Sequence, residues 1–307
     1  MIIGLSASAI TILAFFGSTW WVLDFLANYR WQLMWIALMC AIIYALSARG
    51  LASLVFLGAV IINGFVLSPL WFGSQPTATG EGGATVVSLD MFGSTSDEDR
   101  VLQWLFDTDA DVIMVSGVAA GRLDPLTADG SPYRVIASPE PDTSGICIIA
   151  KEDYAVRVEY TETTAEPIYI VSVPSGNEVV SVITAWGEVA KSSSKAEALS
   201  ERLGVIESLV QTRTGPVAVV GSIGATRFTS GMRSLLASSG LRDASEGSGY
   251  LSTTPVLDIP IIGGWVGIPL DVALMTADIT PLDLATGPDI GVGHLPISLT
   301  IGPSAEG

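Results

Sequence analysis

Three stretches without a charged side chain, residues 2–23, 31–48 and 51–72, open this 307-residue chain and constrain it more than any other feature. About 20 apolar residues cover a hydrocarbon core of roughly 30 Å, so each stretch is long enough to cross a bilayer. Trp20, Trp21, Tyr29, Trp31, Trp35 and Trp71 gather near the ends of the stretches, where an amphipathic ring favours the headgroup level. A cleaved signal peptide fits the first stretch poorly, because no Lys or Arg precedes it and two more stretches follow at once. Three buried helices of a soluble domain fit less well, since connections this short leave no room for the surrounding core they would need. With 49% hydrophobic residues and a mean hydropathy of +0.53, the chain is too apolar for an ordinary soluble protein of its length. Residues 1–73 are expected to form a three-helix transmembrane bundle.

Charge is unevenly divided. Asp24, Arg30 and Arg49 leave residues 1–73 at +1, so of the total of −17 the rest of the chain carries −18. A surface of that sign repels phosphate backbones, so nucleic acid is not expected as a partner. Arg30 and Arg49 tie the two short loops for orientation, but residues 73–99 contain no Lys or Arg, unlike a cytoplasmic juxtamembrane flank. The expectation is an integral protein of a bacterial inner or plasma membrane with its domain outside the cytoplasm. Cys40 lies inside the second stretch and Cys147 in an apolar strand, and both read as small buried hydrophobes rather than a disulfide.

Residues 74–84, SQPTATGEGGA, are polar and Gly-rich and read as a flexible linker. A β-prone run follows at 85–89. Ser96, Asp97, Glu98 and Asp99 offer an N-cap and an acidic first turn to a helix with Val101, Leu102, Leu105 and Phe106 on its apolar face. Residues 111–115, DVIMV, form a continuous apolar strand of the doubly buried kind. Further strands are expected at 133–137, 145–150, 155–160, 167–173, 179–185, 217–220, 272–275 and 297–301. A helix starts at a Ser194–Glu197 capping box and carries Leu199, Leu203, Ile206 and Val210 inward, and a short one lies near 231–238. Residues 85–302 can bury one substantial core, and 303–307 are left as a tail.

The order of these landmarks resembles the endonuclease/exonuclease/phosphatase family, in its bacterial membrane-anchored branch with three N-terminal spans. The resemblance rests on a strand ending in Asp90 where the family has Asn, on DVIMVSGV where the family strand closes in Gln-Glu, and on PYRVIASPEPDTSGICIIAK. GPVAVVGSIGAT is similar to the family's GDFNAT element, followed by GLRDA; GIPLDV is similar to its Ile-Asp-His element, and GPDIGVGHLPISL to its closing Ser-Asp-His-Pro strand. It implies a four-layer α/β sandwich, two mixed sheets flanked by helices. It also implies a phosphoester cleaved with a divalent metal on acidic residues and a His-Asp pair that activates water.

Residue by residue, the sequence departs from that set. The family's metal-binding Glu falls on Gly117, its phosphate-side His on Trp186, and the Asp and Asn of GDFNAT on Ser222 and Gly224. The last Asp, partner of the catalytic His, falls on Gly293. Glycine offers no ligand atom, and an indole fills space that a phosphate needs. Asp90, Asp271 and His294, the only histidine, survive. Each also has a structural reading: a hydrogen-bonded His294, an Asp271 that caps a strand end, an Asp90 that makes an Asx-turn. No Walker A loop, HExxH, zinc-type Cys pair or GxSxG elbow competes.

Two functions of different class remain. One is a pseudoenzyme, a binding or assembly module with an unidentified protein partner, no catalytic residue and no cofactor. The other is a divergent phosphoesterase using Asp90, Asp271 and His294 with Mg²⁺ or Mn²⁺, the metal falling on Asp90 and Asp271.

Overall fold

The computed structural model describes residues 1–79, 82–92, 98–161, 166–256 and 266–305. Helix α1 (Ile2–Leu13) tightens into a 3-10 segment, Ala14–Thr19, and ends at Trp20, whose backbone is extended. Helix α2 (Trp21–Ala27) and α3 (Arg30–Leu46) follow with a bend of 73° between them; α4 (Gly50–Leu67) and the short α5 (Pro69–Phe72) complete the region. Two helical stretches, Ile2–Thr19 and Gly50–Leu67, are long and apolar enough to cross a membrane, or three if the bent pair counts as one. The expected span over 2–23 therefore stops early. Asp24 would be costly in lipid, and the chain turns at Trp20 so that this carboxylate reaches the globular domain instead.

Thr11, Arg30 and Asn63, all fully buried, tie α1, α3 and α4 together. Arg30 Nη1 donates to Thr11 O (2.7 Å) and Asn63 Oδ1 (3.3 Å), Asn63 Nδ2 donates to Thr11 Oγ1 (2.8 Å), and the guanidinium lies 4.3 Å from the Phe15 ring centroid. Hydrogen bonds shared across helices give apolar helices a fixed register. Outward, Leu46, Leu51 and Phe65 are more than three-quarters exposed, an apolar belt that water alone would not tolerate.

The globular part contains strands β1 (Ala84–Asp90), β2 (Val112–Ala119), β3 (Tyr133–Ala137), β4 (Ser144–Lys151), β5 (Arg157–Thr161), β6 (Ile168–Ser175) and β7 (Glu178–Thr184). These are followed by β8 (Val217–Ser222), β9 (Arg242–Asp243), β10 (Asp271–Met275), β11 (Ile279–Thr286) and β12 (Ile297–Pro303). They form two six-stranded sheets, in the orders β11-β12-β1-β2-β4-β3 and β5-β6-β7-β8-β10-β9. The pairs β1–β2 and β7–β8 are parallel and the rest antiparallel, so both sheets are mixed. Alternation sorts each strand's side chains to two faces. Val86, Met114 and Ile148 meet Val171, Val182 and Val220 between the sheets.

The outer faces are covered by helices. Val101 and Leu105 of α6 (Glu98–Asp107) pack on Val87, Leu89 and Ile113. Leu199, Leu203, Ile206 and Val210 of α7 (Ser193–Thr212), with Met232 and Leu235 of α8 (Ser230–Ser239), cover Ile170, Ile183 and Val219. The expected inward stripe of α7 is thus in place, but its cap is Ser192, whose Oγ accepts the Lys195 N–H, rather than Ser194. The Ser96 and Asp97 expected to cap α6 lie outside the described residues. β11 escaped the sequence because Pro281 interrupts it; the strand sits at a sheet edge with a register shift between Pro281 and Asp283, where proline is tolerated.

Residues 75–79, read above as part of a flexible linker, are instead a strap laid along the sandwich. Gln75 Nε2 donates to Asp243 O and Glu246 O, Thr280 Oγ1 donates to Pro76 O, and Ala78 bridges Ser304 with flanking bonds Thr79 N–H to Pro303 O and Ala305 N–H to Thr77 O. Its composition is polar, but backbone amides pair with a strand end whatever side chains they carry. A fragment beginning at Ala84 should therefore be less stable in urea than one beginning at Gly73, by about 2.5–7.5 kcal/mol for five bonds at roughly 0.5–1.5 kcal/mol each. Equal midpoints for the two fragments would show that the strap contributes nothing.

Candidate functional site

The two sheets bring their strand ends together at one end of the sandwich. Asp90 closes β1 and Asp271 opens β10, both nearly fully buried, with Ser116 and Ser222 as their respective register partners in β2 and β8. His294 arrives on the loop before β12, after Gly291 and Gly293, which both have φ of 84°. One ligand atom from each of Asp90, Asp271 and His294 lies within 4.8 Å of the others. The three survivors read from the sequence are thus brought together.

The hydrogen bonds define what they do. His294 Nδ1 lies 2.8 Å from Asp271 Oδ2, 3.2 Å from Thr254 Oγ1 and 3.9 Å from Asp90 Oδ2. A carboxylate acceptor puts the proton on Nδ1, so Asp271 fixes the tautomer and plane of the ring. This revises the expectation that the partner of His294 was lost with Gly293: Asp271, 23 residues upstream, supplies that carboxylate. Asp90 Oδ1 accepts the Phe92 N–H (2.9 Å), the Asx-turn anticipated for it, while Oδ2 accepts the Trp186 Nε1–H (3.0 Å). Thr253 and Thr254, which the sequence did not single out, hold the pair from behind, Thr253 Oγ1 accepting the Asp271 N–H at 3.2 Å. Their only sequence signal is adjacency.

Electrostatics follow from burial and neighbours. Burial, the largest influence, pushes Asp90 above the ordinary carboxylate value; the His294 charge, the Phe92 N–H and the Ser222 hydroxyl pull back, and Asp271 pushes further. For His294, burial disfavours the cation, but the hydrogen bond and charge of Asp271, then the charge of Asp90, outweigh it and raise the imidazole above its ordinary value. Both groups bind a proton more readily folded than unfolded.

The positions that departed from the family pattern have their own geometry. Gly117 sits at φ of 70°, and a Cβ there would lie 2.4 Å from Phe92 N; Gly224 sits at φ of 87°, and a Cβ would lie 2.4 Å from Glu188 O. Gly293 has a positive φ but open space around it. Trp186 packs on Phe92 with ring centroids 4.4 Å apart. Beside them remains a cavity of about 50 Å³ lined by Phe92, Gly117, Ile146, Glu166, Pro167 and Trp186 among others, small against the roughly 300–1,000 Å³ of ordinary ligand pockets.

Two mixed sheets packed face to face between helices, with a cleft at their joined strand ends, define the endonuclease/exonuclease/phosphatase fold, and solved structures agree. The chain is similar to an endonuclease/exonuclease/phosphatase of Beutenbergia cavernae DSM 12333 (12% identity, TM-score 0.56, covering 74% of this chain and 73% of that one). It is similar to truncated Caenorhabditis elegans TDP2 (15%, 0.57, 72% and 97%) and to a functionally unknown conserved protein from Enterococcus faecalis V583 (13%, 0.57, 72% and 100%). Such identities speak to the fold alone. No family model matches the sequence, and no curated protein is similar to it.

The fold implies a divalent cation at this cleft, and the residues present offer it a poor shell. Mg²⁺ demands a near-octahedral oxygen shell. Gly117 provides no donor, Asp271 Oδ2 and His294 Nδ1 are hydrogen-bonded to each other, and Asp90 Oδ2 carries the Trp186 N–H. The donor set does not fit such an ion, since loading it would break the contacts that close the cleft.

Proposed function

We propose that the protein is anchored in a bacterial inner or plasma membrane by three spans, with α2 and α3 together as the bent second one. Its acidic domain faces away from the cytoplasm and acts as a binding or assembly module rather than a hydrolase. The observation that carries the loss of hydrolysis is the Trp186 indole, packed on Phe92 and bonded to Asp90 where a substrate would approach. Orientation rests on the flank 73–99, which lacks Lys and Arg. No cofactor is required in this reading, nucleic acid is disfavoured by the charge of −18, and a protein partner is compatible with it.

The second reading, a divergent phosphoesterase, is favoured by one observation, the oriented His294–Asp271 pair beside Asp90. An imidazole held by a carboxylate is the ordinary arrangement of a general base. Purified full-length protein, assayed with bis-(p-nitrophenyl) phosphate and Mg²⁺ or Mn²⁺, decides between them. We expect no metal-dependent release of nitrophenol. Hydrolysis that disappears in Asp271→Ala or His294→Ala would establish the phosphoesterase instead.

A further inference from the structure

The N-terminal helices grip the sandwich at one end only among the described contacts, and it is the end that holds the cleft. Asp24 Oδ1 accepts the Ser230 N–H (2.6 Å) and Asn28 Oδ1 the Thr226 N–H (2.9 Å), both on the segment that follows Ser222. Gln32 Nε2 donates to Val266 O (2.7 Å) and Gly267 O (2.8 Å), just upstream of Asp271. Trp31 stacks on Tyr250 with centroids 4.8 Å apart, and four residues later Thr254 reaches His294. Gly247 and Gly249 donate their N–H groups to Pro69 O and Leu70 O.

The strap supplies the direction. From Gly73 the chain passes Asp243 and Glu246 at Gln75, Thr280 at Pro76 and Ser304 at Ala78, before β1 starts at Ala84 opposite Ile301. β1 then runs back to Asp90. The chain therefore leaves the helices at the cleft end, travels the length of the sandwich and begins the first strand at the far end. The β6–β7 turn at Gly176 and Asn177 marks that far end, since Ser175 Oγ donates to Ile301 O.

We propose that the cleft end of the domain rests against the bilayer, with Phe92 of that end at the lipid headgroups. This rests on the membrane-anchored reading above. Phe92 is half-exposed at that end, and Asn177, exposed on the β6–β7 turn, lies at the far end.

The test uses full-length protein reconstituted into liposomes of equal phosphatidylethanolamine and phosphatidylglycerol, with benzoylphenylalanine replacing the half-exposed Phe92 or the exposed Asn177. After flotation and carbonate washing, illumination should attach lipid at position 92 and not at 177. Wild-type protein labelled by lipids with photoreactive headgroups should give adducts on peptides around Phe92 and Trp186, which guards against a variant that misfolds. Protein that fails to float removes the anchored reading itself. Floated protein labelled at 177, or unlabelled at 92, overturns the placement of the cleft end.

Discussion

Gly117→Glu, which places an acid at the position that the family resemblance matches to a metal-binding Glu, is expected to cost the domain about 2–5 kcal/mol and to bring no hydrolysis. The cost has two sources. A residue with a Cβ is held at φ of 70°, and that Cβ would stand 2.4 Å from Phe92 N and 2.6 Å from Phe92 Cα. Backbone cannot rotate away as a side chain can, so β1 and β2 must part or the turn at Phe92 must reform. Either movement disturbs the Asp90 bond to the Phe92 N–H. Gly293→Asp is the internal control, because its positive φ is one that Asp tolerates and nothing lies within 4 Å; it should cost no more than about 1 kcal/mol. Urea unfolding of the two variants against wild type measures the difference. If Gly117→Glu were as stable as Gly293→Asp, the backbone at 117 would be free to return to a catalytic form, and the cleft would be only one side chain from competence. By the same reasoning Trp186→His alone restores nothing, since Gly117 and Gly224 are conformational losses as well as chemical ones.

That distinction was beyond the sequence. Gly117 read as an absent ligand, which is correct chemistry, but its left-handed backbone and the approach of Phe92 are consequences of how β1 and β2 end together. The strands were legible because their physics is local: DVIMV is apolar without alternation and lies between two neighbours in the sheet, and YRVIA occupies Tyr133–Ala137 as expected. The His294–Asp271 pair was not legible, because a partner 23 residues away is chosen by where two loops meet and Gly293 is the nearer candidate along the chain. The strap was hidden for a similar reason, its bonds being backbone bonds. The docking of the N-terminal helices did leave a trace. Asp24 is the only acid before residue 81, and a lone carboxylate beside three apolar stretches marks a place that is not in lipid.

Asp271→Ala should destabilise the domain by about 3 kcal/mol near pH 6, because removing one partner leaves the other's charge buried and unpaired. Asp271→Asn keeps the volume and separates charge from packing through pH. In wild type, His294 has a raised folded value, so the stability it contributes is fully present below the ordinary imidazole value of 6.5 and is lost as pH rises through the folded one. Asp90 acts with the same sign: burial raises it above 3.8, so the folded state again holds the proton more tightly than the unfolded chain and stability declines as pH rises past that value. Wild-type melting temperature is therefore expected to fall between pH 6 and 8.5. In Asp271→Asn the hydrogen bond to a charged acceptor and the largest favourable charge at His294 are gone, and burial, which disfavours the cation, prevails. The folded state then prefers neutral imidazole, and the His294 contribution to stability rises with pH across the same window instead of falling. The groups that face His294 are Asp271, Asp90 and the hydroxyl of Thr254, so the surviving influence of Asp90 can reduce the reversal but acts against burial alone. Thermal denaturation of both proteins at matched ionic strength, with His294→Gln to subtract the rest of the domain, reads the change of slope. Parallel curves for wild type and Asp271→Asn would mean that the imidazole does not draw its proton from this carboxylate, and the pair would have no part in holding the cleft closed.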